Sequence, residues 1–367
     1  MARSTDPPSW EELVGVANSH GITRLGVAPA TVLERARVEL HRRKSAGLHA
    51  DMEFTYRNPD RSTDPTRILP TARSVIVAAR SYLVDDEPQR PDGPHARVAR
   101  YAWVDHYAPL RAGLRDIVDL LKRTGHRAVA LADDNALVDR EIAHLGGLGW
   151  FGKNANLLLP GAGSWFVLGS VVTSAAYEVS TPVADGCGSC RRCLDECPTR
   201  AIVAPGVVDA NRCLAWLLQR PGTFPVEFRG ALGDRLYGCD DCQEVCPPTV
   251  RLGGRHRLST SVDGTEPQRV EAWVDVLDVL DADDATLLDR HGRWYIADRD
   301  PVWLRRNALV VLGNIGDGGD ERTRRTIDRY RSHPDPVLRE HADWAFERLC
   351  AAGAPRGRAE SGSVHPA

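Results

Sequence analysis

The chain has 367 residues, a net charge of −3 and 42% hydrophobic residues. That length is too great for a simple ferredoxin and allows two or three domains with real cores. The near-neutral balance excludes a global basic field for nucleic acid, so any such contact must rest on a local patch. Positive charge is carried almost wholly by Arg, with Lys only at Lys44, Lys122 and Lys153.

Ser9 and Glu12 form the capping-box pattern S-x-x-E, which starts a helix at Trp10. Ile22 to Ala28 reads as a strand closed by Pro29, and a second helix follows from about Val32 to Ala46. Ser74 to Leu83 is rich in β-branched residues and predicts a buried strand. Leu110, Leu114, Ile117 and Leu121 fall at helical spacing, and Gly125 stops that helix. Arg127 to Leu131 and Leu168 to Thr173 complete the strands. Helices alternating with strands predict an α/β domain over residues 1–180.

Three stretches of that domain carry chemical residues. Asp133 and Asp134 directly follow a strand, where α/β folds place their sites, though either acid also suits a helix cap. Gly146 to Asn156, G-G-L-G-W-F-G-K-N-A-N, has glycines that let backbone approach a large ligand, followed by the rare Lys153. Its spacing is neither a P-loop nor a dinucleotide turn. The plain alternative is a glycine-rich loop with a solvated Lys. Pro160 to Trp165, P-G-A-G-S-W, suits a hairpin turn.

The densest signal lies in residues 181–250. Cys187, Cys190, Cys193, Cys197 and Pro198 form the bacterial ferredoxin run C-x2-C-x2-C-x3-C-P. Cys239, Cys242, Cys246 and Pro247 repeat its spacing without a first cysteine, and Cys213 is free to fill that place. In two-cluster ferredoxins the fourth cysteine of each run crosses to the other cluster. This sorts Cys187, Cys190, Cys193 and Cys246 to one 4Fe–4S cluster, and Cys197, Cys213, Cys239 and Cys242 to a second. Zinc also uses C-x2-C pairs, but three cysteines at successive x2 spacing followed by x3-C-P fit a cubane better than a tetrahedral ion. A disulfide framework requires an oxidising compartment that nothing here indicates. Cys350 remains as an ordinary helical thiol.

Arg251 to Gln268 reads as a connector, and Trp273, Leu277 and Leu280 open a helical region. Two similar pieces begin Asp-Pro-Val at Asp300 and Asp335, about 35 residues apart as in a helical solenoid. Residues 251–352 are therefore read as an all-α HEAT-like domain. Residues 353–367 are read as a disordered Gly-, Ser- and Pro-rich tail. The N-terminus has no apolar leader, and the longest apolar run, Trp165 to Ala176, is too short and too interrupted to span a bilayer. The expectation is a cytoplasmic, monomeric protein with no membrane contact.

The order of these parts resembles the epoxyqueuosine reductase family over almost the whole chain. The resemblance rests on N-P-D-R-S-T-D-P from Asn58, D-D-N-A-L-V-D-R from Asp133 and G-L-G-W-F-G-K-N from Gly147. It rests further on the cysteine pattern, Y-G-C-D-D-C-Q-E-V-C-P from Tyr237, and L-R-R-N-A-L-V-V-L-G-N ending at Asn314. Ala136 stands where many members have Pro or Glu. The resemblance implies an α/β cobalamin-binding domain, a ferredoxin-like module with two 4Fe–4S clusters, and C-terminal helical repeats. It implies reduction of epoxyqueuosine in a tRNA anticodon, with electrons from a donor such as ferredoxin or flavodoxin. Aligned on Asp139 and Arg140, Asp133 matches the family's acid and is the expected proton donor, with Asp134 second. The motif matches also imply cofactor contacts from Arg57, Asp133, Gly149, Trp150, Lys153, Asn154, Tyr237 and Asp240. For the tRNA, the expected basic surface is Arg191, Arg192 and Arg200 near the clusters, with Arg305, Arg324 and Arg325 on the helices. Two other readings stand beside this one. A reductive dehalogenase resembles the family in cofactors and domain order. A non-enzymatic iron–sulfur carrier on a helical scaffold explains the cysteines alone.

Overall fold

The computed structural model describes residues 6–83, 88–252 and 270–353. The connector and the tail predicted from the sequence lie largely outside the described residues.

The first domain is built around a sheet of β1 (Ile22–Pro29), β2 (Ser74–Ser81), β4 (Ala128–Leu131) and β7 (Phe166–Thr173), in the order β1-β2-β7-β4. β3 (His95–Val98) belongs to another sheet, while β5 (Trp150–Phe151) and β6 (Leu157–Leu158) form a short hairpin. Helices α1 (Trp10–Ser19), α2 (Glu34–Ser45), α3 (Pro59–Ser62), α4 (Tyr107–Arg123) and α5 (Asp139–Leu145) fill the connections. The Ser9–Glu12 capping box forms as the sequence requires, with both reciprocal bonds present.

All three pairings of the main sheet are antiparallel. The α/β expectation is therefore corrected to a layered α+β sheet. Alternating helix and strand in the sequence dictate layers but not strand direction, which depends on where each connection re-enters. β2 is buried along its whole length, as its β-branched run predicts, because both faces of the sheet are covered. Val75, Val77 and Ala79 pack with Leu33, Ala36 and Ile142 on one side. Ile76 and Ala78 pack with Leu13, Leu114 and Ile117 on the other.

The cysteine module contains α6 (Arg192–Asp195), α7 (Leu214–Leu217), α8 (Val226–Leu232), α9 (Asp241–Glu244), α10 (Pro247–Leu252), β8 (Ile202–Ala204), β9 (Val207–Val208) and β10 (Arg235–Tyr237). β10 pairs in parallel with β3 of the first domain, and β3 pairs on its other side with β11 (Trp273–Asp275). A helix had been expected to begin at Trp273. That residue instead closes a three-stranded sheet whose strands come from all three sequence regions, and helix begins one residue after β11. The helices that follow are α11 (Val276–Asp281), α12 (Asp284–His291), α13 (Val302–Ile315), α14 (Glu321–Arg331) and α15 (Pro336–Gly353). The two Asp-Pro-Val pieces lead into α13 and α15, which pack together.

One hydrophobic core joins Val98 and Trp103, Leu214 and Leu217 of α7, and Leu309 and Leu312 of α13. Arg306 and Asn307 of the R-R-N motif are wholly buried in it. Arg306 donates to the carbonyls of Leu217 at 3.0 Å, Arg220 at 2.7 Å and Gly222 at 2.7 Å. Asn307 donates to those of Leu218 at 2.8 Å and Leu236 at 3.2 Å. These bonds tie α13 to the segment that follows Cys213. No helix among the described residues is long and apolar enough to cross a membrane.

Candidate active site and cluster module

Asp133 leaves β4 in the left-handed region, with φ 54°. For a residue with a Cβ this costs on the order of 1–3 kcal/mol and marks a site held by its surroundings. Asp134, the next residue, is committed locally, since its Oδ1 accepts from the Ala136 amide at 2.8 Å. Neither acid caps α5, whose N-cap is Val138 without a side-chain bond. Asp133 is open to solvent. Its surroundings still desolvate it enough to raise its carboxyl above the ordinary range, with Arg111 opposing and Asp134 reinforcing the rise.

Asp139 stands at the start of α5, six residues after Asp133. Its Oδ1 is buried and accepts no hydrogen bond. Burial pushes this carboxyl up to about 8, with the charges of Asp133 and Asp134 adding and Arg140 opposing. The same groups reach their neighbours: burial raises the Tyr107 phenol, and Asp133 and Asp139 raise it further. Burial lifts Tyr237 to about 12, Asp133 again contributing. Nothing in the local sequence marks this oxygen as shut off from solvent.

Tyr237 stacks on Trp294 at 4.7 Å, and its hydroxyl accepts from the Tyr295 amide at 2.8 Å. Asp240 is buried, and its oxygens accept from the Arg100 amide at 2.7 Å and from Gln243 Nε2 at 3.1 Å. Burial raises its carboxyl to about 6 against the pull of the Arg100 amide. Gln243 in turn accepts from Tyr82 at 3.1 Å and Ser164 at 2.8 Å. A chain of bonds thus runs from the second cysteine group to the end of β2. Arg57 lies apart, exposed, in a loose 3.7 Å ion pair with Glu53.

A cleft beside Cys239 is lined by Arg97, Arg100, Arg235, Asp240, Glu244 and Trp273, among others. Arg97 pairs with Glu244 at 3.2 Å and Arg235 with Asp241 at 2.5 Å, so its charges are largely matched internally.

The thiols fall into two neighbourhoods. Burial raises Cys193 to about 11, with Cys246, Cys187 and Cys190 adding to the rise. Cys246 in turn feels Cys187 and Cys190. Cys213 feels Cys197 and Arg140, Cys239 feels Cys213, and Cys242 feels Cys239 and Cys213 and, across from the first group, Cys193. Among the described residues no three His, Cys, Asp or Glu side chains converge as they would on a single ion. Backbone amides already point at sulfur: the Ala201 N–H meets Cys197 Sγ at 3.2 Å. The charge of Arg140, which follows the acid loop in α5, reaches Cys213 and opposes the rise of its thiol.

The G-L-G-W-F-G-K-N segment departs from its expected role. The open side of Gly149 is filled by the Leu158 carbonyl, 2.2 Å from where a Cβ would stand. Gly147, at φ +74°, has the Thr181 carbonyl 2.6 Å from the same point. These glycines serve close packing within the protein. Trp150 packs with Cys246 and Cys187. Lys153 Nζ donates to the carbonyls of Gly188 at 2.6 Å and Cys190 at 2.9 Å, and Asn154 Nδ2 to that of Cys242 at 3.1 Å.

Comparison with known proteins accounts for this arrangement. Residues 186–249 match the family model for a 4Fe–4S double cluster binding domain. Residues 62–134 match the model described as epoxyqueuosine reductase QueG, DUF1730. An epoxyqueuosine reductase from Xanthomonas campestris pv. campestris is 31% identical, covering 94% of this chain and 98% of its own. The chain belongs to the epoxyqueuosine reductase family. A Bacillus subtilis reductase is 30% identical over 92% of this chain and 87% of its own. A solved epoxyqueuosine reductase carrying an epoxyqueuosine-modified tRNA-Tyr stem loop superposes with a TM-score of 0.83, at 29% identity, over 92% of this chain and 89% of that one. A Bacillus subtilis structure, captured with its catalytic aspartate loop swung out of the active site, gives 0.80 at 28% identity, over 92% and 90%.

The protein is therefore an oxidoreductase whose cofactors are two 4Fe–4S clusters and cobalamin. The residues present fit both. Eight thiols, the number that two cubanes require, stand close enough to feel one another's charge. At the acid loop, the unpartnered Asp139 Oδ1 beside Asp133 presents a polar demand that the amide-bearing rim of a corrin is of the kind to meet.

Proposed function

We propose that this chain reduces epoxyqueuosine to queuosine at the wobble position of a tRNA anticodon. The observation that carries the reading is Asp133. It is a strained carboxyl with a raised proton affinity, and Arg140 links its loop to the neighbourhood of Cys213. Removing the epoxide oxygen as water and leaving an alkene consumes two electrons and two protons. Cobalamin, when bound, supplies the cobalt chemistry at the carbon–oxygen bond. Asp133 donates a proton to the departing oxygen, a step worth on the order of 10²–10⁴-fold. Asp134 holds the turn through Ala136 and keeps Asp133 in place.

Cys187, Cys190, Cys193 and Cys246 ligate one cluster, and Cys197, Cys213, Cys239 and Cys242 the other. The charge of Arg140 reaches Cys213 of the second set, which supports a path in which electrons from a ferredoxin- or flavodoxin-type donor enter at the first cluster and leave from the second. Arg57, Tyr237 and Asp240 are our assignments for holding cobalamin, supported by the family motifs and, for Tyr237, by its nearness to Asp133. The protein acts in the cytoplasm as a monomer.

For the tRNA backbone, Arg192, Arg200 and Arg324 are exposed and make no ion pair among the described residues. Arg191, Arg305 and Arg325 are paired to Asp195, Asp284 and Glu321. The test is incubation of anaerobically reconstituted protein and reductant with an epoxyqueuosine-bearing anticodon stem loop, read by mass spectrometry of the nucleoside. Loss of one oxygen from the modified base is the expected result. Unchanged nucleoside with full cofactor loading overturns the reading.

A further inference from the structure

The hairpin β5–β6 turns through Gly152 to Asn156, closed by the Gly152 amide donating to the Asn156 carbonyl at 2.8 Å. Ala155 sits at its tip in the left-handed region, with φ 62°. Asn154 Oδ1 accepts from the Asn156 amide at 3.2 Å, and the Gly206 amide donates to the Lys153 carbonyl at 2.9 Å. The tip is thus a rigid platform. From it Lys153 grips the Cys187–Cys190 loop, and Asn154, which is 5% exposed, grips the Cys242 carbonyl.

A peptide unit is planar, and its C=O and N–H point in opposite directions. Lys153 holds the carbonyls of Gly188 and Cys190 toward its ammonium. The N–H groups of Ser189 and Arg191, the other halves of those peptides, are thereby turned away from Lys153. Amide hydrogen bonds to cluster sulfur and nearby charge both set a cluster's potential. A positive charge also favours the more negative, reduced state.

We propose that Lys153 is a positioning residue for the first cluster: it orients the Cys187–Cys190 loop and raises that cluster's reduction potential relative to the second. The proposal rests on the ligand sets assigned above. Asn154 on the same platform fixes the spacing of the second loop from the first. Lys suits this task better than Arg, because a compact ammonium reaches two converging carbonyls where a planar fork does not.

The test is redox titration followed by electron paramagnetic resonance on anaerobically reconstituted full-length protein. In K153M one of the two cluster signals should move to more negative potential while the other stays in place. K153R, which keeps the charge, should fall between the two. An unmoved potential in K153M with full iron content overturns the proposal. Should K153M lose iron, K153R and K153Q decide. A lower potential in K153Q than in K153R upholds it, and equal potentials overturn it. The parent protein separates this from the ligand reading: about eight irons are expected from two cubanes. A clearly different iron content sinks the ligand sets, whereas eight irons with an unmoved potential sinks only the role of Lys153.

Discussion

Of the six non-glycine residues in the left-handed region among the described residues, two stand at turns beside the candidate site and the cysteine loops, Asp133 after β4 and Ala155 between β5 and β6. They are alike in backbone and opposite in what their polar groups do. At the hairpin tip the polar side chains are committed, Lys153 to two carbonyls and Asn154 to the Cys242 carbonyl and the Asn156 amide. At the acid loop, Asp134 is committed to its turn, while Asp139 Oδ1 is buried without a partner and Asp133 faces solvent. A strained turn whose polar groups are all satisfied is scaffold. One that keeps raised carboxyls in reserve is equipped for proton transfer.

The largest break in this contrast comes from D133N. Turnover should fall on the order of 10²–10⁴-fold, with iron and cobalamin content unchanged. D134N keeps an oxygen for the Ala136 amide and should cost far less. Single-turnover rates of the two variants check this, and the reverse order would move the acid to Asp134.

Next, N154A removes the committed partner of the Cys242 carbonyl. Leaving a buried group unsatisfied costs about 1–3 kcal/mol. The loss should appear as a lower thermal midpoint with both clusters still assembled. A midpoint equal to the parent's would show that the platform is not held through Asn154.

A smaller, pH-dependent effect sharpens the other side of the comparison. An unfolded Asp titrates near about 3.9, whereas folded Asp139 is pushed up to about 8. The folded state therefore keeps a proton that the unfolded state releases, and stability contributed by the protonated form is lost as pH rises between those values. The start of α5 favours the ionised form, and burial beside two carboxylates outweighs it. D139N escapes the penalty, so its thermal midpoint relative to the parent should climb from pH 5 to pH 8 and then level off. A difference flat with pH would show that Asp139 is ionised in the fold.

The smallest effect is expected at α14. Arg324 is free of ion pairs among the described residues, whereas Arg325 is engaged with Glu321 at 3.3 Å. R324E should weaken stem-loop binding and flatten its salt dependence by roughly one phosphate contact. R325E should do less. Equal, undiminished affinity in both would remove this helix from the RNA surface.

Much of the local structure was legible because its causes are local. The Ser9–Glu12 box starts α1, Gly125 follows α4, and the apolar run at Ser74 becomes β2. The cysteine spacing announced a double-cluster module, since the thiols of an x2 or x3 run cannot stray far from one another. The R-R-N motif was legible as a signature but not as a contact. Arg306 and Asn307 act through carbonyls more than sixty residues away.

By itself, then, the sequence determined many of the elements, the double-cluster module and the family, because capping, periodicity and ligand spacing are properties of short segments. Tertiary structure alone decided that the main sheet is antiparallel, that β3, β10 and β11 sew the three regions together, and that one oxygen of Asp139 is buried within reach of the Asp133 charge. It also turned Lys153 and Asn154 toward the cysteine loops. The physical reason is the same in each case. Strand direction, desolvation and hydrogen-bond partners depend on which distant segment arrives alongside, and a local pattern carries no record of that neighbour.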